Sequence, residues 1–228
     1  MNALAKTSPW RDLGIRIAST LVLLPIAIGA IVLGGPAWIA VLTLVVAGLA
    51  IEWTLLWRAR APHHPAPAIL AAGLLYIALA WFSLLHLRAA PSGLPNVLFV
   101  MAIVWAGDIG AYLAGRALGG PRLAPAISPG KTWSGALGGT LCAILAGLAV
   151  ARTNLPHAAA IALALSLVAQ LGDLLESGAK RRFGAKDSGK IIPGHGGLLD
   201  RLDGVLAAAP AALAVSLLQG PGPLWGLP

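Results

Sequence analysis

The chain has 228 residues, of which 58% are apolar and only 11% charged, with a mean hydropathy of +0.83. An average soluble domain carries about 25% charged residues, so a water-soluble globule is excluded and a membrane protein is expected. Sixteen lysines and arginines against eight acidic residues leave a formal charge of +8, which favours contact with anionic lipid headgroups or phosphate-bearing substrates.

Against the roughly 20 apolar residues needed to cross a bilayer, seven helices are predicted near 15–33, 37–57, 68–87, 95–113, 134–151, 157–175 and 204–219. The first resembles the core of a signal peptide. Its length and the six runs behind it favour a retained span. The breaks between spans are Gly/Pro-rich: "GGP" at 34–36, "APHHPAP" at 61–67, "PSGLP" at 91–95 and "SPG" at 128–130. The fold class is therefore all-α, a polytopic membrane helix bundle. We divide it into an N-terminal transmembrane region, 1–93, of about three helices, and a C-terminal transmembrane region, 94–228, with a cytoplasmic loop over 176–203. The first ninety residues show only generic hydrophobic spans. Cys142, the one cysteine, lies inside an apolar run and reads as packing; a disulfide or cysteine metal cluster within one chain is excluded.

Every link is short enough for its positive charges to set orientation. With the N-terminus in the cytoplasm, the inner segments hold Lys6, Arg11, Arg16, Arg58, Arg60, Arg116, Arg122, Lys131, Lys180, Arg181, Arg182, Lys186, Lys190 and Arg201, and the outer ones only Arg88 and Arg152. That bias sets the N-terminus inside. Arg88, on the outer side, is expected to matter little. Because the basic residues lie in short links and not along one solvated face, no nucleic-acid partner is expected.

Polar residues first gather in "WAGDIGAYLAGRALGG". Asp108, Tyr112, Gly115 and Arg116 step by three and four along the fourth span, a stripe predicted to face the protein interior. Next comes "PAISPGKT", which looks like the phosphate loop GxxxxGK[ST], but Pro125 takes the first glycine position and no buried strand precedes it. A P-loop NTPase is rejected. Lys131 can still meet phosphate from a loop between helices.

Five of the eight acidic residues lie between 173 and 203. An ionised side chain costs roughly 2.5 to 3.5 kcal/mol at a membrane helix centre, so acids near a membrane usually have a task. On a helix, Asp173, Ser177 and Lys180 fall at i, i+4 and i+7 and share a stripe, and Asp200 and Asp203 share a face at the start of the seventh span. Bringing these three carboxylates together is strongly repulsive without a cation between them. Mg²⁺, which takes carboxylate, phosphate and water oxygens, is suited to that place. Between the two faces lies "GKIIPGHGG", a candidate phosphate-binding loop whose glycines let backbone amides approach a ligand; His195 within it is a candidate for gripping phosphate or a base edge.

The string "SGAKRRFGAKDSGKIIPGHGGLLDRLD", from Ser177 to Asp203, closely resembles the signature of phosphatidate cytidylyltransferases: a serine, then "KR", "KD", "PGHGG" and "DRxD" at these intervals. "WAGDIGAYLAGRALGG" and "SPGKTWSG" resemble two further elements of that family in the expected order, so the likeness covers roughly residues 95 to 220. It implies an integral multi-pass protein of a bacterial inner membrane with its active site on the cytoplasmic side. It implies that CMP passes from CTP to phosphatidic acid, giving CDP-diacylglycerol and pyrophosphate, with Mg²⁺, and room for a second cation, as cofactor. By that resemblance Asp173, Asp200 and Asp203 are expected as metal ligands and, with Lys180, as the catalytic set. Asp108, Arg116, Lys131, Ser177, Arg181, Lys186, Asp187, His195 and Arg201 are the expected substrate-binding set. Within it Arg181 and Arg201, with Lys180, are assigned to the charge of the leaving pyrophosphate. CTP, phosphatidic acid and membrane lipids are the expected partners, and a homodimer is compatible with the likeness.

Three rival readings are open. A CDP-alcohol phosphotransferase also uses membrane aspartates with Mg²⁺, and "DGVLAA" from Asp203 resembles its DGxxAR element, but Ala208 replaces the arginine and no acid follows Asp203. A CTP-dependent kinase of polyprenol or phytol type would share nucleotide and metal, and differs in releasing CDP. A non-enzymatic transporter would place its charges near mid-membrane, whereas these crowd one end of the spans.

Overall fold

The computed structural model describes residues 9–59, 67–189, 191–194 and 196–226. Lys6, Arg60, Lys190 and His195, all used in the sequence reading, lie outside the described residues. Seven helices are present: α1 Pro9–Leu33, α2 Gly35–Arg58, α3 Pro67–Ala89, α4 Gly93–Leu118, α5 Trp133–Ala151, α6 Leu155–Arg182 and α7 Leu199–Gln219. All seven are long and apolar enough to cross a membrane. Leu21, Leu44, Leu75, Leu137 and Leu217 stand out on their exposed faces, the belt expected of a multi-pass membrane protein whose solvent is lipid.

Each predicted span is found, but four ends are displaced. The first was expected to begin near 15 and begins at Pro9. The fourth was expected to stop near 113 and runs to Leu118; the sixth was expected to stop near 175 and runs to Arg182; the seventh begins at Leu199 instead of 204. The expected loop 176–203 is therefore an irregular link of residues 183–198 between two helical ends. Hydropathy marks where a helix leaves lipid, whereas backbone hydrogen bonding continues through polar residues of good helix propensity such as Lys180, Arg181 and Arg182. A second difference is a small antiparallel hairpin, β1 Arg122–Ala124 and β2 Ser128–Thr132, where a plain loop was expected around Lys131. Its second strand ends in Thr132, whose hydroxyl accepts from Gly135 N at 3.1 Å and caps α5.

The closest packing joins α4 to α5. A Cβ on Gly139 would stand 2.7 Å from the Gly107 carbonyl oxygen, and one on Gly110 would stand 2.6 Å from Cys142 Sγ. Small residues let two membrane helices approach until their backbones touch, where dispersion replaces the missing hydrophobic drive. Cys142 is thus a packing residue. The fully buried Phe99, Ile103 and Val100 on α4, with Leu165 on α6 and Ala208 and Ala209 on α7, make the main core.

At one end of the bundle, polar side chains tie the helix ends. Arg88 Nε donates to Ile31 O at 2.8 Å and its Nη2 to Val32 O at 3.1 Å, holding the last carbonyls of α1. Arg88, from which little was expected, therefore has a structural task. The fully buried Asn96 accepts from Leu224 N at 2.8 Å and donates to Gly222 O at 3.2 Å, and Asn154 donates to Trp225 O at 2.9 Å. At the opposite end lie the C-termini of α2, α4 and α6, the N-termini of α5 and α7, the hairpin and the 183–198 link. That end holds most of the charged side chains among the described residues.

Gly139→Val is expected to separate α4 from α5 and cost about 1–3 kcal/mol, read as a lower Tm of the detergent-solubilised protein. Gly29→Ala, where a Cβ meets nothing within 4 Å, should leave Tm unchanged or slightly raised.

Candidate active site

A cavity of about 560 Å³ opens at the polar end of the bundle. One wall comes from α4 and the hairpin, with Asp108, Tyr112, Arg116, Arg122 and Lys131; the other comes from α6 and α7, with Gln170, Asp173, Asp200, Arg201 and Asp203. The two polar clusters read separately in the sequence thus face each other across one space. Asp108, Tyr112 and Arg116, predicted to face the protein interior, line this open cavity and stay exposed. The interior side of α4 is instead its glycine face, because that is the side that can touch α5.

The cavity walls are bridged by charge. Lys131 on β2 pairs with Asp173 on α6, and Ser177 Oγ lies 3.5 Å from Asp173 Oδ1 on the same helix face. Deeper in α6, Gln170 Nε2 donates to Thr140 Oγ1 at 2.9 Å, tying α6 to α5 beneath the cavity. Arg116 Nη1 reaches Tyr112 Oη at 3.3 Å, one turn back along α4.

On the α6–α7 side, Lys180 is nearly buried and lies 3.1 Å from Glu176 Oε2 and 2.5 Å from Asp200 Oδ1. Asp200 is engaged further: Oδ2 accepts from Ser188 N at 3.0 Å and from Gly197 N at 3.2 Å. These bonds draw the middle and the end of the 183–198 link onto the start of α7. Asp173, Glu176 and Asp203 each present one carboxylate oxygen within 4.8 Å of the others. Such a group of hard oxygen donors can hold a divalent cation. Glu176 Oε1 is buried without a hydrogen-bond partner among the described residues, which is costly unless a cation or proton satisfies it.

Asp173, Asp200 and Asp203, expected from the sequence to converge, all line the cavity. Glu176, not among the residues expected there, stands in the tight carboxylate group, while both oxygens of Asp200 are already occupied by Lys180 and backbone amides. The signal was present: Glu176 follows Asp173 by one helical turn and precedes Lys180 by another. Its setting in the apolar "LLES" hid it. Arg201 lines the cavity, whereas Arg181 is turned to the hairpin, donating through Nε to Ile127 O at 3.2 Å. Lys186 and Asp187 are exposed on the link and do not line the cavity. His195 lies outside the described residues.

Lys180→Met would leave Glu176 and Asp200 facing each other in a buried setting without their ammonium. The expected cost is about 3–5 kcal/mol, measured as a fall in Tm, and Glu176→Gln in the same chain should recover part of it.

Residues 66–218 match the model of the cytidylyltransferase family. Over 144 residues, 61% of this chain and 53% of the relative, the chain is 54% identical to a phosphatidate cytidylyltransferase of Brucella suis. Over 218 residues, 91% of this chain and 92% of the relative, it is 37% identical to one from Rickettsia bellii. To one from Staphylococcus epidermidis it is 47% identical over 132 residues, 56% of this chain and 50% of the relative. The chain spans about half the length of the Brucella and Staphylococcus relatives it matches.

Proposed function

This chain belongs to the cytidylyltransferase family, and from that membership we propose that it transfers the cytidylyl group of CTP to the phosphate of phosphatidic acid. The products are CDP-diacylglycerol and pyrophosphate. The observation that carries this reading is the single cavity in which the cations of α4 and the hairpin face the carboxylates of α6 and α7, a combination that suits two phosphate-bearing substrates and a metal.

In the reaction an oxygen of the lipid phosphate attacks the α-phosphorus of CTP in line. One P–O bond forms, the bond to the β-phosphate breaks, and pyrophosphate leaves with the electron pair. No protein nucleophile is needed, so the protein's task is positioning and charge neutralisation. Arg116, Arg122, Lys131 and Arg201 line the cavity and are placed to bind phosphate oxygens. Lys131 would pass from Asp173 to an incoming phosphate. Ser177 orients Asp173. Lys180 holds Asp200 and, with Arg181, offsets charge on the leaving group.

Asp173 and Asp203, with Glu176 and Asp200 beside them, would hold Mg²⁺ and leave room for a second cation. The metal's chemistry would be to neutralise phosphate charge and polarise the phosphoryl oxygens. The exposed Lys186 and Asp187 are assigned to nucleotide contact, and His195, outside the described residues, keeps its assignment to phosphate or a base edge. The excess of lysine and arginine at this end of the spans supports a cytoplasmic site, where CTP is available, in the plasma membrane of a bacterium. Acyl chains of the substrate stay in lipid and the headgroup enters from the side. A pairing of two chains across their lipid-facing surfaces is compatible with this arrangement.

The test is to incubate the purified protein with phosphatidic acid, Mg²⁺ and CTP labelled at the α-phosphate. Label is expected in the lipid fraction, with equimolar pyrophosphate. EDTA should abolish it, and Asp173→Asn or Asp203→Asn should lower the rate by at least about a hundredfold. Release of CDP in place of pyrophosphate would identify a lipid kinase, and solute flux in liposomes without CTP a transporter.

A further inference from the structure

Glu52 on α2 is 1% exposed, the one acidic residue of a largely apolar helix. It lies outside the segment that matches the family model, which begins at residue 66. Its two oxygens are nonetheless fully used. Oε1 accepts from Leu198 N at 2.9 Å, Oε2 accepts from Leu199 N at 2.9 Å, and Ser188 Oγ lies 3.4 Å from Oε2.

Leu198 is the N-cap residue of α7 and Leu199 its first helical residue. A leucine has no side-chain oxygen with which to cap a helix, so the first amides of α7 would lack partners in a buried setting. Glu52 supplies the cap from another helix, and its negative charge meets the positive end of the α7 dipole. One residue later comes Asp200, and Asp203 follows on the next turn. The position of both carboxylates in the cavity is thus set by a residue on α2.

The same helix also meets the link at two earlier points. Trp53, next to Glu52, packs its ring against Phe183 with centroids 5.2 Å apart, where the link leaves α6. Gly189 comes so close that a Cβ there would stand 2.6 Å from Glu52 Oε1. Start, middle and end of the link therefore all rest on Trp53 and Glu52. The amide of Ser188, in that middle stretch, donates to Asp200, so the clamp and the cavity carboxylate share one segment.

We propose that Glu52 is a positioning residue for this site: by capping α7 at Leu198 and Leu199 and clamping Ser188 and Gly189 onto α2, it sets where Asp200 and Asp203 stand in the cavity. Its effect on turnover rests on the reading of the cavity as the site of cytidylyl transfer; its effect on the link does not.

Two measurements on detergent-solubilised full-length protein separate these. The first is the rate of trypsin cleavage after Lys186, which requires the link to lift from α2. The second is kcat per folded molecule, counted from the monodisperse gel-filtration peak, together with the Mg²⁺ concentration giving half-maximal rate. Glu52→Gln keeps shape and volume but replaces one acceptor oxygen by a donor that opposes an amide N–H. It is expected to speed cleavage about tenfold, and to lower kcat and raise the Mg²⁺ requirement by about tenfold or more, the range seen when groups that orient metal ligands are removed. Simple destabilisation would reduce the number of folded molecules and leave the Mg²⁺ requirement unchanged.

Gly189→Ala, which pushes the link off an intact Glu52, should reproduce both changes, and in a Glu52→Ala background it should add less than about twofold because the atom it strikes is gone. Wild-type cleavage and wild-type kinetics in folded Glu52→Gln would overturn the proposal. Should that variant give no folded protein, a Gly189→Ala chain with both properties unchanged would overturn it equally. A wild-type chain that moves no label from CTP to lipid would sink the reaction assigned to the cavity, while the cleavage rates would still decide the clamp.

Discussion

An ammonium group held between two carboxylates, Lys180 between Glu176 and Asp200, is the contact around which the polar end of this bundle is organised. Each of those charges is expensive to remove from water, and together they are tolerable only while the geometry keeps them paired. The pairing joins the end of α6 to the start of α7 across the irregular link. If it opened, Asp200 would lose one of the partners that aim it, and the carboxylates of Asp173, Glu176 and Asp203 would lose the one cation among the described residues that lies in direct contact with Glu176. The repulsion left in that acidic group is what makes it a place for a metal.

Two kinds of packing support the contact. On one side α4 and α5 approach along small residues until Gly139 and Gly107 touch, which leaves no room for side chains between them and sends Asp108, Tyr112 and Arg116 to the other face of α4. On the other side the link rests on α2, where Trp53 and Glu52 receive it. The hairpin between α4 and α5 then brings Lys131 across the cavity to Asp173. The N-terminal spans, which by composition look like passive membrane anchors, thereby take part in shaping the site. The far end of the bundle is tied separately, by Arg88, Asn96 and Asn154 bonding to backbone groups of other segments, so the helices are fixed at both ends and the cavity walls keep their spacing.

The sequence by itself determined the class of structure, the number of spans and the two polar clusters. Long apolar runs and local helical spacing are properties of neighbouring residues, and they need no knowledge of the rest of the chain. For the same reason Asp173, Ser177 and Lys180 could be placed on one stripe, and Asp200 with Asp203 on another. The extension of α4 and α6 beyond their apolar stretches was missed because hydropathy is blind to where hydrogen bonding stops.

Only the tertiary structure decided which charges meet. Nothing in the spacing of Lys131 and Asp173, 42 positions apart in the chain, announces their pairing, and only its helical spacing from Asp173 and Lys180 sets the Glu176 of "LLES" apart from a solvated acid. Glu52 is the clearest case. In the sequence it is one acid in an apolar span, and its partners are backbone amides almost 150 residues away. Backbone donors carry no mark in the sequence of what will accept from them, so a cap supplied by a distant helix becomes visible only when the chain has folded.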